Sequence, residues 1–333
     1  MKFDYKPIYS LTPEMLDLVS QIMEALGQIS GVGDLSKQPN LRRINRLRSI
    51  HSSTAIEGNT LTFEQVVSVI NGKTVLAPRD EIQEIKQTFE AYKLLEEINP
   101  FDVKDMLRVH GVMMLALCDE AGKFRSKGVG VFDSDGRAVH VAPQPGNVSP
   151  LIHKLFDWLE TEKVHDLIKS SIYHYEFEAI HPFNDGNGRM GRFWQSALLA
   201  KWKPIFAWIP IETVIRERQE EYYKAFIAVQ NEGGNCNPFI LFMLNAILQA
   251  VKNIEADSEK FLRSQTSQIQ KLMAIFENEH EPLSAKDIAD KLGLKSLAGL
   301  KRSYIEPALK LGLISMSNPD KPTSKHQRYR KTY

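Results

Sequence analysis

The sequence predicts a mainly α-helical protein with little β structure. Apolar side chains recur every third residue from Leu41 to Ile50, which is typical of one face of a helix. Residues 193–202 have the composition and length of a buried helix, and residues 241–251 are predominantly apolar. Segments with β character are short, so the fold class is expected to be mainly all-α.

Composition narrows the class of protein. The chain has 333 residues, 43% hydrophobic and 25% charged, enough to bury a core of two or three domains. A formal net charge of +1 gives no general attraction to nucleic acid. Cys118 and Cys236 lie far apart in sequence and suggest no disulfide framework. The first residues lack an apolar export core and no apolar run approaches spanning length, so we expect a cytoplasmic protein without a membrane partner.

Residues 1–98 form the first predicted domain, which is helical from Thr12 to about Glu97. Four arginines lie off the apolar stripe of the helix at residues 41–58: Arg42, Arg43, Arg46 and Arg48. Gly58 and Asn59 supply the stop of that helix. Thr62 with Gln65 makes a capping box, and Gly72 is the next stop.

The second predicted domain, residues 99–255, opens at Asn99-Pro100 and contains the most informative segment, HPFNDGNGRMGR at residues 181–192. Because a helix follows, its glycines lie at a helix N-terminus, where free backbone N–H groups favour an anion. Arg189 and Arg192, three residues apart, repel each other and oppose the helix dipole, and Gly191 weakens the turn further. These penalties predict a polyphosphate ligand, bound by the amides of residues 186–189 and by both guanidiniums.

Two further side chains of this segment suggest a reaction. Asp185 can hold Mg²⁺, since one protein carboxylate together with phosphates often suffices for that ion. His181, followed by Pro182, can accept a hydroxyl proton at neutral pH. The segment therefore predicts attack of a hydroxyl on a nucleotide phosphate.

The segment also shares features with other known motifs. Gly186-x-Gly188-x-x-Gly191 matches the dinucleotide fingerprint, and residues 173–177 alternate like the strand that should precede it, but two arginines have no use there. A calcium loop fails because Met190 and Ser196 occupy the positions of its Gly and Glu. A purely structural helix turn with a core histidine stays open.

The segment resembles the signature of the Fic family, H-P-F-x-(D/E)-G-N-G-R-x-x-R, at every specified position. The resemblance implies a helical Fic bundle that transfers AMP from ATP to a Tyr, Thr or Ser hydroxyl of a protein, with His181 as base and Asp185 as Mg²⁺ ligand. Arg192 would clamp the γ-phosphate and Phe183 would plug the core. Gly188 stands where related Doc-type kinases carry Lys, which favours AMP transfer. The implied nucleotide contacts in the segment are Asn184, Gly186, Asn187, Gly188, Arg189, Met190, Gly191 and Arg192.

Ser53 and Glu57 lie four apart on one helix face ahead of Gly58. Taken alone, they are typical of a solvated helix end. They also resemble the family's inhibitory motif, (S/T)-x-x-x-E-(G/N), which implies a bidentate Glu57–Arg192 pair that blocks the γ-phosphate site. The resemblance leaves open a hydrolytic role for Glu57, in which the enzyme removes AMP.

Two short β-type runs around Asp133–Gly136 predict a hairpin at residues 128–141. It is a surface hairpin on the simplest interpretation. It also resembles the Fic flap, on whose edge a target segment pairs as an added strand. The resemblance then places Arg137, Ala138, Val139 and His140 beside the nucleotide. Tyr222, Tyr223 and Asn231 resemble adenine contacts, although the spacing to Asn231 is one residue longer than in the relative compared.

A polar connector is expected at residues 252–270, followed by a third domain at 271–333. Residues 283–294 predict a helix with a Gly turn, residues 296–309 a second helix, and residues 312–316 a strand. This order resembles a winged helix-turn-helix domain. Residues 321–333 carry five Lys or Arg and no acid, which is typical either of a DNA-contacting wing or of a solvated terminal tail on a domain that docks a protein. A DNA-binding regulator whose core senses nucleotide is the rival of the enzyme hypothesis, and a homodimer stays open.

Overall fold

The computed structural model describes residues 6–32, 39–132, 138–264, 267–277, 279, 281–310, 313–319, 321, 322, 324 and 327–331. These residues are mainly helical, as predicted. The chain divides into two compact units, one formed by residues 1–27 and 43–252, the other by residues 28–42 and 253–333. Within the described ranges, no helix has the length and apolar character that a membrane crossing requires.

The first unit consists of helices and one short hairpin. Its helices are α1 (Pro13–Val32), α2 (Pro39–Ile56), α3 (Phe63–Ile70), α4 (Arg79–Lys93), α5 (Val103–Met113), α6 (Pro145–Thr161), α7 (Asp166–Ile180), α8 (Asn187–Trp202), α9 (Ile211–Glu217), α10 (Gln219–Asn231) and α11 (Asn237–Ser264). Helices α1, α2 and α11 each have one end in the other unit. The predicted boundary at residues 98/99 lies inside the first unit and stays a prediction.

Local signals of the sequence explain several helix ends. The Thr62–Gln65 capping box is present, with Gln65 N donating to Thr62 Oγ1 over 3.3 Å and Thr62 N to Gln65 Oε1 over 2.8 Å. Gly58 and Gly72 follow α2 and α3 with φ of 98° and 73°, a conformation that favours glycine. The predicted starts and stops here are confirmed.

Helices α7 and α8 form the centre of the unit. Large aromatic side chains fill the space around them, and Tyr173, Phe177, Phe183, Phe193 and Trp194 are fully buried. The strand-like alternation at residues 173–177 is thus part of a buried helix, because both of its faces are covered. This finding removes the βαβ unit that a dinucleotide site requires.

A buried carboxyl ties four helices together. Glu212 on α9 is 1% exposed and accepts hydrogen bonds from Ser49 of α2 (2.7 Å), Tyr92 of α4 (2.8 Å) and Ser196 of α8 (3.1 Å). A buried carboxyl is stable only with such donors. It therefore fixes α2 against α8.

His110 of α5 supports the loop between α7 and α8. Its ring stacks on Phe183 at 3.6 Å between centroids, and its Nε2 lies 3.0 Å from the carbonyl oxygen of Asp185. Gly122 N donates to Nδ1 over 2.9 Å, so Nε2 is the nitrogen that carries the proton. Burial lowers the pKa of His110 to about 4. The neutral ring is thus part of the fold.

The predicted hairpin is confirmed. Strands β1 (Gly130–Phe132) and β2 (Ala138–Val141) pair antiparallel, with Gly130 opposite Val141 and an irregularity after Val131. Its turn, Asp133–Gly136, and Arg137 lie outside the described residues.

Helix α11 differs from the expectation at both ends. It begins at Asn237 and continues to Ser264, so residues 252–264 are helical and not a separate connector. Residues 252–264 contain helix-forming Lys, Glu, Ala, Leu and Arg and neither Gly nor Pro, so nothing in them ends the helix.

The second unit contains α12 (Ser267–Glu277), β3 (Leu283–Ser284), α13 (Ala285–Leu292), α14 (Leu297–Leu300), α15 (Glu306–Lys310), β4 (Ile314–Met316) and β5 (Arg328–Lys331). The sheet order is β3–β5–β4, with antiparallel neighbours. Leu283 and Ser284 therefore form a strand and not the first residues of the helix predicted at residues 283–294. Ser284 also caps α13, because it forms a capping box with Asp287. Its core is apolar: Ile269, Leu272, Phe276, Ile288, Leu300, Ile305, Ala308, Leu313, Ile314 and Tyr329.

The predicted helix at residues 296–309 is interrupted. A wide π turn at Lys301–Ile305 separates α14 from α15. Pro307 follows this turn, and its missing N–H cannot continue the regular i to i−4 ladder.

We expect Glu212→Ala to lower the free energy of unfolding by about 3 kcal/mol, because three buried hydroxyls lose their acceptor. Chemical denaturation measures the effect. Glu217→Ala on the exposed side of the same helix is the control, with a change within about 0.5 kcal/mol. Equal effects of the two substitutions would contradict the bridging role.

The lowered pKa of His110 predicts a pH dependence. The unfolded ring binds a proton near pH 6.5 and the folded ring only near 4, so its stabilisation is present above 6.5 and is lost as pH falls through that window. From pH 6 to 5, the wild type should lose about 1.4 kcal/mol per pH unit relative to His110→Gln. Denaturation curves at both pH values test this, with exposed His153→Gln as the control that keeps the wild-type slope.

Candidate functional site

The predicted base lies at a strained turn. His181 ends α7 with φ 52° and ψ 62°, a left-handed conformation that is uncommon for a residue other than glycine. Its Nδ1 lies 3.3 Å from the carbonyl oxygen of Glu178, so a proton on Nδ1 leaves Nε2 as the accepting nitrogen. The turn places the ring at the wall of a cavity.

Arg125 holds this turn. The side chain is 2% exposed, and its Nε donates to the carbonyl oxygen of His181 over 2.7 Å. Its other nitrogens donate to carbonyl oxygens of Lys127, Pro143 and Ile180. One buried guanidinium therefore connects the base to the chain on either side of the β1–β2 hairpin. No sequence pattern predicts this role, because the acceptors are backbone groups.

The start of α8 is fixed from inside the loop. Gly186 is its N-cap with φ 82°. The Asn187 amide is satisfied by the backbone of Phe183, with Phe183 N donating to Oδ1 over 2.9 Å and Nδ2 donating to the carbonyl over 2.8 Å. Asn187 therefore shapes the loop with its side chain, and its backbone N–H is what it can offer to an anion.

Glu57 and Arg192 are in contact. Arg192 is 2% exposed, and its Nη2 donates to Glu57 Oε1 over 2.6 Å. Nη2 also donates to the Ser53 carbonyl (2.9 Å), and Nε donates to Ser53 Oγ (3.1 Å). The pair is joined by a single hydrogen bond and not by the bidentate contact expected, because Ser53 takes the edge of the guanidinium. Burial opposes ionisation of Glu57, but Arg192 outweighs it and lowers the pKa of the carboxyl.

Arg189 is also paired. Its Nη1 lies 2.6 Å from Glu84 Oε1, and its Nη2 lies 3.2 Å from Asp185 Oδ1. Glu84 Oε2 accepts from Asn59 over 2.7 Å, so α4 connects this arginine to the chain just after Glu57. Sequence reasoning missed Glu84, since nothing in the local pattern of α4 distinguishes it from an exposed helix residue.

Two glycines of α8 make room for carboxyl groups. A Cβ on Gly188 would lie 2.3 Å from Glu57 Oε1, and a Cβ on Gly191 would lie 2.4 Å from Glu178 Oε1. Both distances are far below contact, so a larger residue at either position would force the end of the glutamate side chain to move. Gly191 weakens the helix, and its missing side chain makes room for the Glu178 carboxyl.

The site opens into a cavity of about 410 Å³. Glu57, His181, Gly188 and Arg192 lie around it, and α7 adds Tyr175, Glu178 and Ala179. The remaining lining comes from α10: Tyr222, Tyr223, Phe226, Ile227 and Gln230. The lining is thus charged toward α8 and apolar toward α10, which suits a nucleotide.

Only some of the expected adenine contacts line the cavity. Tyr222 and Tyr223 line the cavity, although the Tyr222 hydroxyl is engaged 3.0 Å from His174 Nε2. Asn231 is exposed at the end of α10 and is not among the lining residues, whereas Gln230 is. One extra residue of spacing rotates a helix position by about 100°, which explains the exchange.

Other predicted contacts lie at different depths. Met190 is fully buried in the core, so only its backbone is near the loop. Asn184 is exposed and donates to Glu120. Ala138, Val139 and His140 lie on strand β2.

Asp185 suits the magnesium ion that the sequence predicts. Its side chain is 58% exposed, and Oδ1 is used by Gly186 N at 2.6 Å and by Arg189. Clusters of three or more His, Cys, Asp or Glu that could bind a metal by themselves are absent from the described part of the chain. A lone, accessible carboxylate fits an ion that keeps waters and takes phosphate oxygens.

Comparisons with known proteins agree with this geometry. Residues 100–199 match the Fic/DOC family, and residues 267–332 match the C-terminal domain of Fic-like proteins named for filamentation induced by cAMP. Protein adenylyltransferase Fic of Nematostella vectensis is 29% identical over 249 residues, covering 71% of this chain and 54% of that protein. The Drosophila willistoni protein of the same name is 32% identical over 224 residues, 61% of this chain and 41% of that protein. The chain thus spans about half or less of the length of these relatives.

A solved structure covers nearly the whole chain. A Fic family protein from Desulfovibrio desulfuricans G20 is 42% identical over 98% of both chains, with a TM-score of 0.73. Caenorhabditis elegans Fic-1 shares the fold at 21% identity, with a TM-score of 0.59. Since the first of these matches extends over both units, the chain belongs to the Fic family.

Proposed function

We propose that the chain is an autoinhibited protein adenylyltransferase that transfers AMP from ATP to a Tyr, Thr or Ser hydroxyl of a protein, including its own. The observation that carries this proposal is the Glu57–Arg192 pair at the charged end of the cavity, beside His181. Relatives named protein adenylyltransferase support the reaction class.

The chemistry follows from the placement of the groups. The target hydroxyl gives its proton to His181 Nε2 while its oxygen bonds to the α-phosphorus. The bond from that phosphorus to the β-phosphate bridging oxygen breaks, and pyrophosphate leaves. Backbone N–H groups at the start of α8, together with Arg189 and Arg192, bind the phosphate oxygens. Mg²⁺ held by Asp185 would neutralise charge on the leaving pyrophosphate.

Glu57 blocks this reaction in the proposed mechanism. While it accepts from Arg192 and lies against Gly188, it occupies the space and the guanidinium that a γ-phosphate needs. ATP then binds in an unproductive pose. Arg189 must likewise release Glu84 or Asp185 in order to bind a phosphate oxygen. Alternatively, it binds the phosphate oxygen through an N–H that neither carboxylate uses.

The target segment would add as a strand to the β1–β2 hairpin, presenting its hydroxyl to His181. In the opposite direction, Glu57 would orient a water that removes AMP from a modified protein, since it lines the same cavity as His181. Incubation of AMP-modified protein with the wild type tests this direction, and release of AMP that depends on Glu57 supports it.

We expect Glu57→Gly to raise self-modification at least tenfold, because Arg192 becomes available to the γ-phosphate. Mass spectrometry after incubation with ATP and Mg²⁺ measures the AMP adduct. The double variant Glu57→Gly/His181→Ala should bind ATP but form no adduct. An unchanged adduct level in Glu57→Gly, with ATP binding intact, would count against the block.

The C-terminal unit suggests a second candidate function, DNA binding. Lys295, Lys301 and Arg302 are exposed on the segment that follows the α13 turn, where helix-turn-helix proteins contact DNA. We expect the full chain to retard duplex DNA at 50 mM salt and much less at 200 mM. The double variant Lys301→Ala/Arg302→Ala should no longer retard the DNA. The control Lys271→Ala on α12 should still retard it. Retardation equal in all three proteins would point to nonspecific charge.

A further inference from the structure

One polar group in the cavity has no assigned function. Glu178 lies on the last turn of α7 and lines the cavity, but its Oε1 is shielded from solvent and has no hydrogen-bond partner among the described residues. Buried carboxyl oxygens in native proteins are nearly always paired. Because Oε1 itself is shielded and lies against α8, another part of the Glu178 side chain forms the cavity wall, and a carboxyl whose buried oxygen lacks a protein partner there is open to a ligand.

The carboxyl lies against the backbone of α8. The space at Gly191 accommodates its Oε1, as the space at Gly188 accommodates Glu57 Oε1. Positions 188 and 191 are neighbours on one helix face, about 5–6 Å apart. Glu57 and Glu178 therefore contact the same face of α8, close to Arg192, at the end of the cavity assigned above to phosphates.

The protonation of Glu178 suits an anionic ligand. Burial raises its pKa to about 8, with Arg192 acting against the shift and Glu57 adding to it. The group is therefore neutral at pH 7 and carries an O–H donor. An ionised carboxylate would repel a phosphate, whereas a neutral one can donate to it.

We propose that Glu178 is a phosphate-binding residue of the nucleotide site, whose neutral carboxyl donates a hydrogen bond to a phosphate oxygen when the triphosphate replaces Glu57. The proposal rests on the function proposed above. It adds a donor from α7 to those at the start of α8, at a position outside the 181–192 motif.

The test compares nucleotide binding in a Glu57→Gly background by calorimetry at pH 7.5, with Mg²⁺-ATP and with adenosine. Adding Glu178→Ala should weaken ATP binding about fivefold to tenfold and leave adenosine binding unchanged. Glu178→Gln keeps an N–H donor and should stay within about twofold of the background. Exposed Glu160→Ala on α6 is the matched control.

A pH series provides the readout that a structural role would not change. From pH 6 to 9, ATP affinity of the background should fall as Glu178 ionises, over a window below that of the wild type because Glu57 no longer adds to the shift, and the Glu178→Gln variant should lack this fall. The other titratable or charged groups facing Glu178 stay the same in both proteins: Tyr173, His174, His181, Arg192 and Tyr222. If Glu178→Ala fails to fold, the comparison of the two pH series tests the proposal by itself.

The outcomes separate the two proposals. Unchanged ATP affinity in Glu178→Ala, or a parallel fall in both pH series, overturns the role of Glu178 and leaves AMP transfer by the background intact. Equal weakening of adenosine would place the contact on the nucleoside and also overturn it. A background protein that binds no ATP overturns both proposals.

Discussion

Two buried guanidiniums at the positive end of α8 are the constraint on which the site depends. Arg189 and Arg192 are each at most 5% exposed, and both lie in the first turns of a helix, where the dipole disfavours cations. Burial without counter-charge would be strongly unfavourable. Glu57, Glu84 and Asp185 supply that charge from three different parts of the chain. A nucleotide bound as proposed would therefore compete with the protein's own carboxylates.

Those carboxylates are held by the fold around them. Glu212 fixes α2, which positions Ser53 and Glu57, while Asn59 connects the end of the same segment to Glu84. Arg125 and His110 perform the corresponding task for the loop of His181. The resting arrangement is thus a property of the whole first unit and not of a single ion pair.

The sequence predicted what depends on local pattern. Helix starts, the Thr62–Gln65 box, the hairpin and the position of the motif at a helix N-terminus all follow from residue type and spacing. The Glu57–Arg192 contact, 135 residues apart, was accessible only through family resemblance. Glu84, Glu212 and Arg125 were missed because their partners are distant in sequence or are backbone carbonyls. The single hydrogen bond in place of a bidentate one depends on the Ser53 backbone, which no pattern reveals.

The missing side chain of Gly188 leaves the space that the Glu57 carboxylate occupies. A first side-chain carbon at this position would lie 2.3 Å from Glu57 Oε1, so any other residue here would force the flexible end of the Glu57 side chain to move. Such a movement would disturb the hydrogen bond from Arg192 to Glu57. A substitution at residue 188 would therefore alter the Glu57–Arg192 pair without changing either partner.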